Sequence, residues 1–145
     1  MRFWDMNRFN ISEEEQRKTF TDFYKNKKER FYLEVPVFCR SVDLVKQDLQ
    51  NNSITAIEFK VNDWKRAISQ VLNVAICFDY LAICVPKPKT LKGQTNVINE
   101  CQSNGIGLYF YDTNNNTFEH TVLEKKIDDI WEVQRCQILK YLEVR

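Results

Sequence analysis

Between residues 53 and 60, apolar Ile54, Ala56, Ile57 and Phe59 are interleaved with polar Thr55, Glu58 and Lys60. After the turn-forming Gln50, Asn51 and Asn52, this pattern predicts a β-strand. Side chains of a strand alternate faces, so Glu58 and Lys60 emerge on one side, ~6–7 Å apart. Upstream, Val42 and Leu44 alternate with Ser41 and Asp43, and residues 40–45 read as an antiparallel partner joined through residues 46–52. In such a hairpin Asp43 and Glu58 can converge on one edge. Residues 31–38 supply a further strand, with Leu33, Val35 and Val37 on one face and Glu34 on the other. Pro36 cannot donate to a ladder and belongs at an edge or a bulge.

Helical spacing governs other segments. Ser12 and Glu15 have the form of a capping box, and acids at 13–15 suit the positive end of a helix. That helix is expected to reach about residue 28 and to bury Phe20, Phe23 and Tyr24. A second helix, capped by Asp63, is expected over residues 64–78, with Trp64, Ala67, Ile68, Val71, Leu72 and Ala75 as its apolar stripe. Asp63, Arg66, Gln70 and Asn73 lie opposite. Residues 79–86 are almost continuously apolar, as in a central strand buried on both faces. Strand, helix and strand at this spacing imply a crossover to a parallel neighbour.

The rest of the chain follows the same logic. A basic loop at 87–92 leads to a helix at 95–103, with Val97, Ile98 and Cys101 inward and Gly105 at its end. A strand at 105–111, a turn cluster at 112–116 and a returning strand at 117–123 come next. A final helix is expected over 127–142, with Ile130, Trp131, Val133, Ile138, Leu139 and Leu142 as its apolar side. Residues 1–10, aromatic and polar without a period, are expected to pack as an arm.

An acid and a base at the end of an apolar strand are costly to bury unpaired. Glu58 and Lys60 are therefore a structural ion pair or part of an active site. Asp43 shifts the balance, because two carboxylates and a lysine suit a divalent cation and a phosphate. Mg²⁺ takes carboxylate oxygens and keeps several waters. A lysine beside it can contact a phosphate or help deprotonate the attacking water.

Asp43, then Glu58, Phe59 and Lys60, then a helix carrying Gln70, resembles the PD-(D/E)XK phosphodiesterase superfamily, and the likeness covers residues 31–86. It implies one nuclease-like domain over residues 1–145, with a restriction-endonuclease-like α/β fold. Such a fold has a mixed central β-sheet (an α-β-β-β-α-β core) flanked by helices. By the same resemblance, Asp43, Glu58 and the backbone carbonyl of Phe59 would hold Mg²⁺ or Mn²⁺. Lys60 would orient or activate water, and Gln70 would steady Lys60 or that water. Glu34 is either a further metal ligand or a surface residue, and Glu15 either an acid near the metal or a cap. The family commonly continues Gln-x-x-x-Tyr, and here Val74 takes the tyrosine's place.

The function implied is that of a Mg²⁺-dependent endonuclease hydrolysing phosphodiester bonds in DNA. Lys65, Arg66, Lys87, Lys89 and Lys92 would contact backbone phosphates, which position DNA without reading sequence. A net charge of +1 requires any such surface to be local. Cutting two strands needs two sites, which implies a homodimer. Because a fold does not guarantee its chemistry, the alternative is a non-catalytic nucleic-acid-binding or protein-interaction module on the same fold.

Composition narrows the class further. The 145 residues are 43% hydrophobic and 28% charged, as in one ordinary soluble domain. No apolar run approaches the ~18–20 residues of a membrane span, and the N-terminus lacks an apolar signal core. A cytoplasmic protein with no membrane partner is expected. Cys39, Cys77, Cys84, Cys101 and Cys136 form no Cys-x-x-Cys pair, and the single His120 cannot complete a zinc set. They read as reduced core thiols. Serine-hydrolase chemistry fails as well, since His120 falls in an edge hairpin with no nucleophile motif nearby.

Overall fold

The alternating segments become six strands of one sheet: β1 (Glu29–Val37), β2 (Arg40–Asp48), β3 (Ile54–Phe59), β4 (Tyr80–Pro86), β5 (Gly107–Asp112) and β6 (Thr117–Val122). A computed structural model describes residues 12–38 and 40–145. The arm expected at residues 1–10 and the Cys39 thiol lie outside the described residues. The spatial order is β1-β2-β3-β4-β5-β6. β3, β4 and β5 run parallel, and the remaining neighbours pair antiparallel. Pro36 sits on the edge strand β1, where its missing N–H costs no interior ladder bond.

Four helices flank this mixed sheet among the described residues: α1 (Glu13–Phe23), α2 (Trp64–Leu72), α3 (Leu91–Asn104) and α4 (Glu132–Glu143). The chain thus opens α1-β1-β2-β3-α2-β4, and the fold is α/β. On one face α1 inserts Phe20 among Leu44, Ile57, Phe59, Tyr109 and Phe118. Its ring meets Phe59, Tyr109 and Phe118 edge-on at 5.4, 4.9 and 5.2 Å, a favoured aromatic geometry. On the other face Ala67, Ile68 and Val71 of α2, Val97 and Cys101 of α3, and Ile138 and Leu142 of α4 pack with Ile54, Ala56, Leu81, Ile83, Leu108 and Phe110. All six residues of β3 are buried. Among the described residues no helix is long and apolar enough to cross a membrane.

Several boundaries differ from expectation. α1 stops at Phe23, not near residue 28, because the Asn26 Oδ1 accepts from the Lys28 and Glu29 N–H groups at 2.7 and 3.0 Å. That Asx turn launches β1 two residues early and leaves Phe23 half exposed. α2 ends at Leu72, which is exposed; Val74, Cys77 and Phe78 then donate to carbonyls three residues back, giving the 3-10 turn Ala75–Cys77. α3 starts at Leu91, four residues early, because the Thr90 Oγ1 accepts from the Gly93 N–H at 3.0 Å. Residues 127–131 are not helical, since Ile127 and Trp131 donate to the Asp79 and Ile76 carbonyls. Trp131 and Val133 stay exposed. Cys77, Cys84 and Cys101 are buried free thiols, whereas Cys136 is exposed and belongs to no core.

The most consequential departure lies in β1 and β2. Glu34 has φ of 51°, a left-handed conformation uncommon outside glycine, and the β1–β2 register places it opposite Asp43. Strand alternation slips there on both strands. Below this point Leu44 faces α1 and Val45 faces α2, while above it Val35, Val37 and Val42 all join the α2 side. Leu33, expected inward with Val35 and Val37, is 42% exposed as a result. The upper hairpin turns away from β3.

Candidate functional site

The slip opens a gap. β2 pairs with β3 only as far as Leu44 opposite Ile57, whereas β3 continues beside β4 to Phe59 opposite Cys84. The Phe59 N–H has therefore lost its strand partner, and the Asp43 Oδ2 accepts it at 2.8 Å. A strand residue presents its N–H and C=O to the same neighbour, so the Phe59 carbonyl opens into the same gap. Continuing the register places Asp43 opposite Glu58, and the two carboxyl groups come within hydrogen-bonding contact.

Glu58 is 1% exposed. Its pKa is pushed up to about 8, first by burial and then by the hydrogen bond to Asp43 and the Asp43 charge, with Arg40 and Lys60 pulling it down. Each charged group in the gap nonetheless has a partner of opposite sign. The Arg40 Nη2 donates to the Glu58 Oε1 at 2.9 Å, and its Nη1 donates to the Gln70 carbonyl at 3.0 Å. The Arg17 Nη1 lies 3.6 Å from the Asp43 Oδ1 and 3.7 Å from the Glu34 Oε1. The Lys60 Nζ is 3.5 Å from the Glu13 Oε1. Fully buried Gln16 donates through Nε2 to the Cys84 carbonyl at 3.1 Å, which also accepts the Lys60 N–H at 3.2 Å.

The structure thus brings Asp43, Glu58 and the Phe59 backbone together, while the Lys60 ammonium is drawn to Glu13 of α1 and acts on Glu58 as a charge. Gln70 meets the site through its backbone carbonyl, which accepts from Arg40; among the described residues its side chain makes no hydrogen bond to Lys60. Glu34 is not drawn to the pair either. Its side chain is 68% exposed, held by Arg17, and no group of three or more His, Cys, Asp and Glu side chains among the described residues is arranged to hold a metal. Glu15 is exposed, with its N–H capped by Ser12; the acid that α1 brings to the site is Glu13.

Glu13, Gln16, Arg17 and Arg40 escaped the sequence reading. Glu13, Gln16 and Arg17 recur with Phe20 at helical spacing, so they share the inward face of α1. That period was the available signal. Arg40 carried none, because its approach to Glu58 depends on the slip at Glu34 and Asp43.

The five basic candidates follow the carboxyl ends of β3 and β4, which lie at the same end of the sheet because the strands are parallel. Lys65 and Arg66 are exposed in the first turn of α2, and the Lys65 ammonium lies 5.6 Å from the centre of the Trp64 ring. Lys87 is tied to Glu119 at 3.0 Å, while Lys89 and Lys92 are exposed. Crevices outside the carboxyl ends of such strands are where α/β sheets bind ligands.

No family model and no curated relative matches the chain. Among solved structures it is similar to the SPO1766 protein of unknown function from Silicibacter pomeroyi. The TM-score is 0.68 over 93% of this chain and 86% of that chain, at 13% identity. The likeness is one of fold.

Proposed function

We propose that this chain is a Mg²⁺-dependent endonuclease of the PD-(D/E)XK type, with the restriction-endonuclease-like form of the α/β fold, acting on phosphodiester bonds in DNA. The observation that carries this reading is the meeting of the Asp43 and Glu58 carboxyl groups in a gap left where β2 parts from β3, close enough to Lys60 for its charge to act on Glu58. The donor set fits the ion: Mg²⁺ binds proteins through one or two carboxylates and keeps waters for its other positions. Asp43, Glu58 and the Phe59 carbonyl are the residues that would hold it. Burial and mutual repulsion disfavour the charged form of Glu58, and a divalent cation relieves both. Such an ion polarises a phosphoryl oxygen and lowers the pKa of its bound water.

The chain's own groups supply the rest. The Lys60 ammonium, once parted from Glu13, offsets charge that builds on the phosphate. Lys65, Arg66, Lys89 and Lys92, exposed beyond the carboxyl ends of β3 and β4, would position a DNA backbone. Duplex cleavage by one such site per chain takes two copies.

A second reading is favoured by a specific observation. Arg40 and Arg17 already occupy Glu58 and Asp43, as in a non-catalytic nucleic-acid-binding or protein-interaction module. Calorimetry and thermal shift with Mn²⁺, on wild type and Asp43→Ala, separate the two. The nuclease reading expects binding by wild type only, and nicking of supercoiled plasmid that is lost in Lys60→Ala. Wild type that neither binds Mn²⁺ nor nicks any form of DNA establishes the second reading.

A further inference from the structure

Arg40 occupies an unusual position for a structural ion-pair partner. Its Nη2 holds Glu58 and its Nη1 holds the Gln70 carbonyl. Its Nε is buried with no hydrogen-bond partner among the described residues. A buried guanidinium donor left unmet costs free energy and calls for a missing acceptor. The side chain is 27% exposed, so it reaches the mouth of the gap. It also starts β2, opposite Val37. Guanidinium presents its donors as a planar fork that matches phosphate oxygens.

We infer that Arg40 is a phosphate-binding residue held in reserve: it donates to the Glu58 carboxyl group until a divalent ion takes that group, and then turns its fork to a backbone phosphate of the bound DNA. This inference rests on the nuclease reading and adds an order of events to it. Arg40 and the divalent ion compete for one carboxylate, so each weakens the other's hold on Glu58 by the same factor. DNA gains the Arg40 contact only after the ion has bound. Arg17, 3.6 Å from Asp43, lies outside this exchange, since it also holds Glu34.

The test uses the full chain as wild type, Arg40→Gln and Arg40→Lys. Mn²⁺ affinity by calorimetry is expected to tighten on the order of tenfold in Arg40→Gln, the scale of a competing site, and to stay near wild type in Arg40→Lys. Duplex affinity is then followed against salt, with Ca²⁺ and with chelator. With Ca²⁺, Arg40→Gln should lose one phosphate contact, lowering the slope of log K against log salt by about 0.9. With chelator the slope should match wild type. Unchanged or weaker Mn²⁺ binding in a folded Arg40→Gln protein overturns the inference, as does an equal loss of slope with and without cation. Wild type that binds no Mn²⁺ at all sinks the nuclease reading and this inference with it, a result distinct from the other two.

Discussion

Replacing Glu58 with Gln should make the metal-free protein less sensitive to alkaline pH. Glu58 is buried against Asp43, and its pKa rises from an ordinary 4.5 to about 8. The folded state thus keeps a proton that the unfolded chain releases near pH 4.5. The stability linked to that proton is complete below about 4.5 and declines as pH rises, until it is gone above about 8. Within that window each pH unit is worth up to ~1.4 kcal/mol, so going from pH 6 to pH 8 removes at most ~3 kcal/mol. For a chain of this size ~1 kcal/mol corresponds to ~2–4 °C in Tm, which gives a fall of up to ~10 °C.

Glu58→Gln has no such proton to lose. Its amide oxygen can still accept from Arg40 and its amide nitrogen can donate to Asp43, so the variant mimics protonated Glu58 at every pH. Thermal unfolding of both proteins at pH 6, 7 and 8, in chelator, is the assay. Titrations remote from the Asp43–Glu58 pair are common to the two proteins and cancel in their difference. The wild type should lose Tm relative to the variant as pH rises, and Mn²⁺ at pH 8 should restore the wild type alone. Two curves that stay parallel from pH 6 to 8 would show that Glu58 is already ionised on its Arg40 partner, and the electrostatic argument for a cation site would fail.

Two further outcomes follow from other parts of the fold. Asp79 is buried, accepts the Ile54 N–H at 2.8 Å and pairs with Arg135 at 3.1 Å. Asp79→Ala leaves the Ile54 N–H without its acceptor and takes one partner from Arg135, which keeps the Asn52 carbonyl, and should cost ~1–3 kcal/mol in urea unfolding. Burial opposes the lowering of its pKa, but the Ile54 N–H and Arg135 prevail, so this stability is present above the ordinary value of 3.8 and lost as pH falls below it. At the β1–β2 turn Phe38 has φ of 57° and is half exposed, a strained state for an aromatic residue. Phe38→Asn, which tolerates that conformation, should raise stability by ~1 kcal/mol; a loss in chemical denaturation would refute the strain.

The sheet was legible because β3, β4 and β5 owe their pattern to burial alone. Ile54 through Phe59 and Leu81 through Val85 are apolar enough to declare themselves whichever way the chain turns. Helix ends were less legible, since they depend on single hydrogen bonds such as Asn26 to Glu29 or Thr90 to Gly93. Asp43 and Glu58 could be paired from sequence because a hairpin register, once set by Leu44 and Ile57, carries them to one another. Gln70 stands apart: its role was carried over from a family pattern, and the contact it makes at the site is through its backbone carbonyl, to Arg40.

The slip at Glu34 and Asp43 explains why one short stretch is both structural and chemical. Without it β2 would run on beside β3, a strand carbonyl would accept the Phe59 N–H, and Asp43 would be an ordinary strand residue. With it, Asp43 must cap that N–H, which fixes its carboxylate within reach of Glu58. The same turn moves Val42 to the α2 face and carries Arg40 over the top of Glu58. The positive φ of Glu34 therefore sets three things together: the gap, the carboxyl pair and the guanidinium that donates to half of it. A fold that only needed a stable hairpin could have kept β2 straight with Gly-free, unstrained geometry and an apolar residue at position 58. The strained residue, the buried acid and the unmet Arg40 Nε occur at one place, and a ligand bearing both cation and phosphate would satisfy the last two at once.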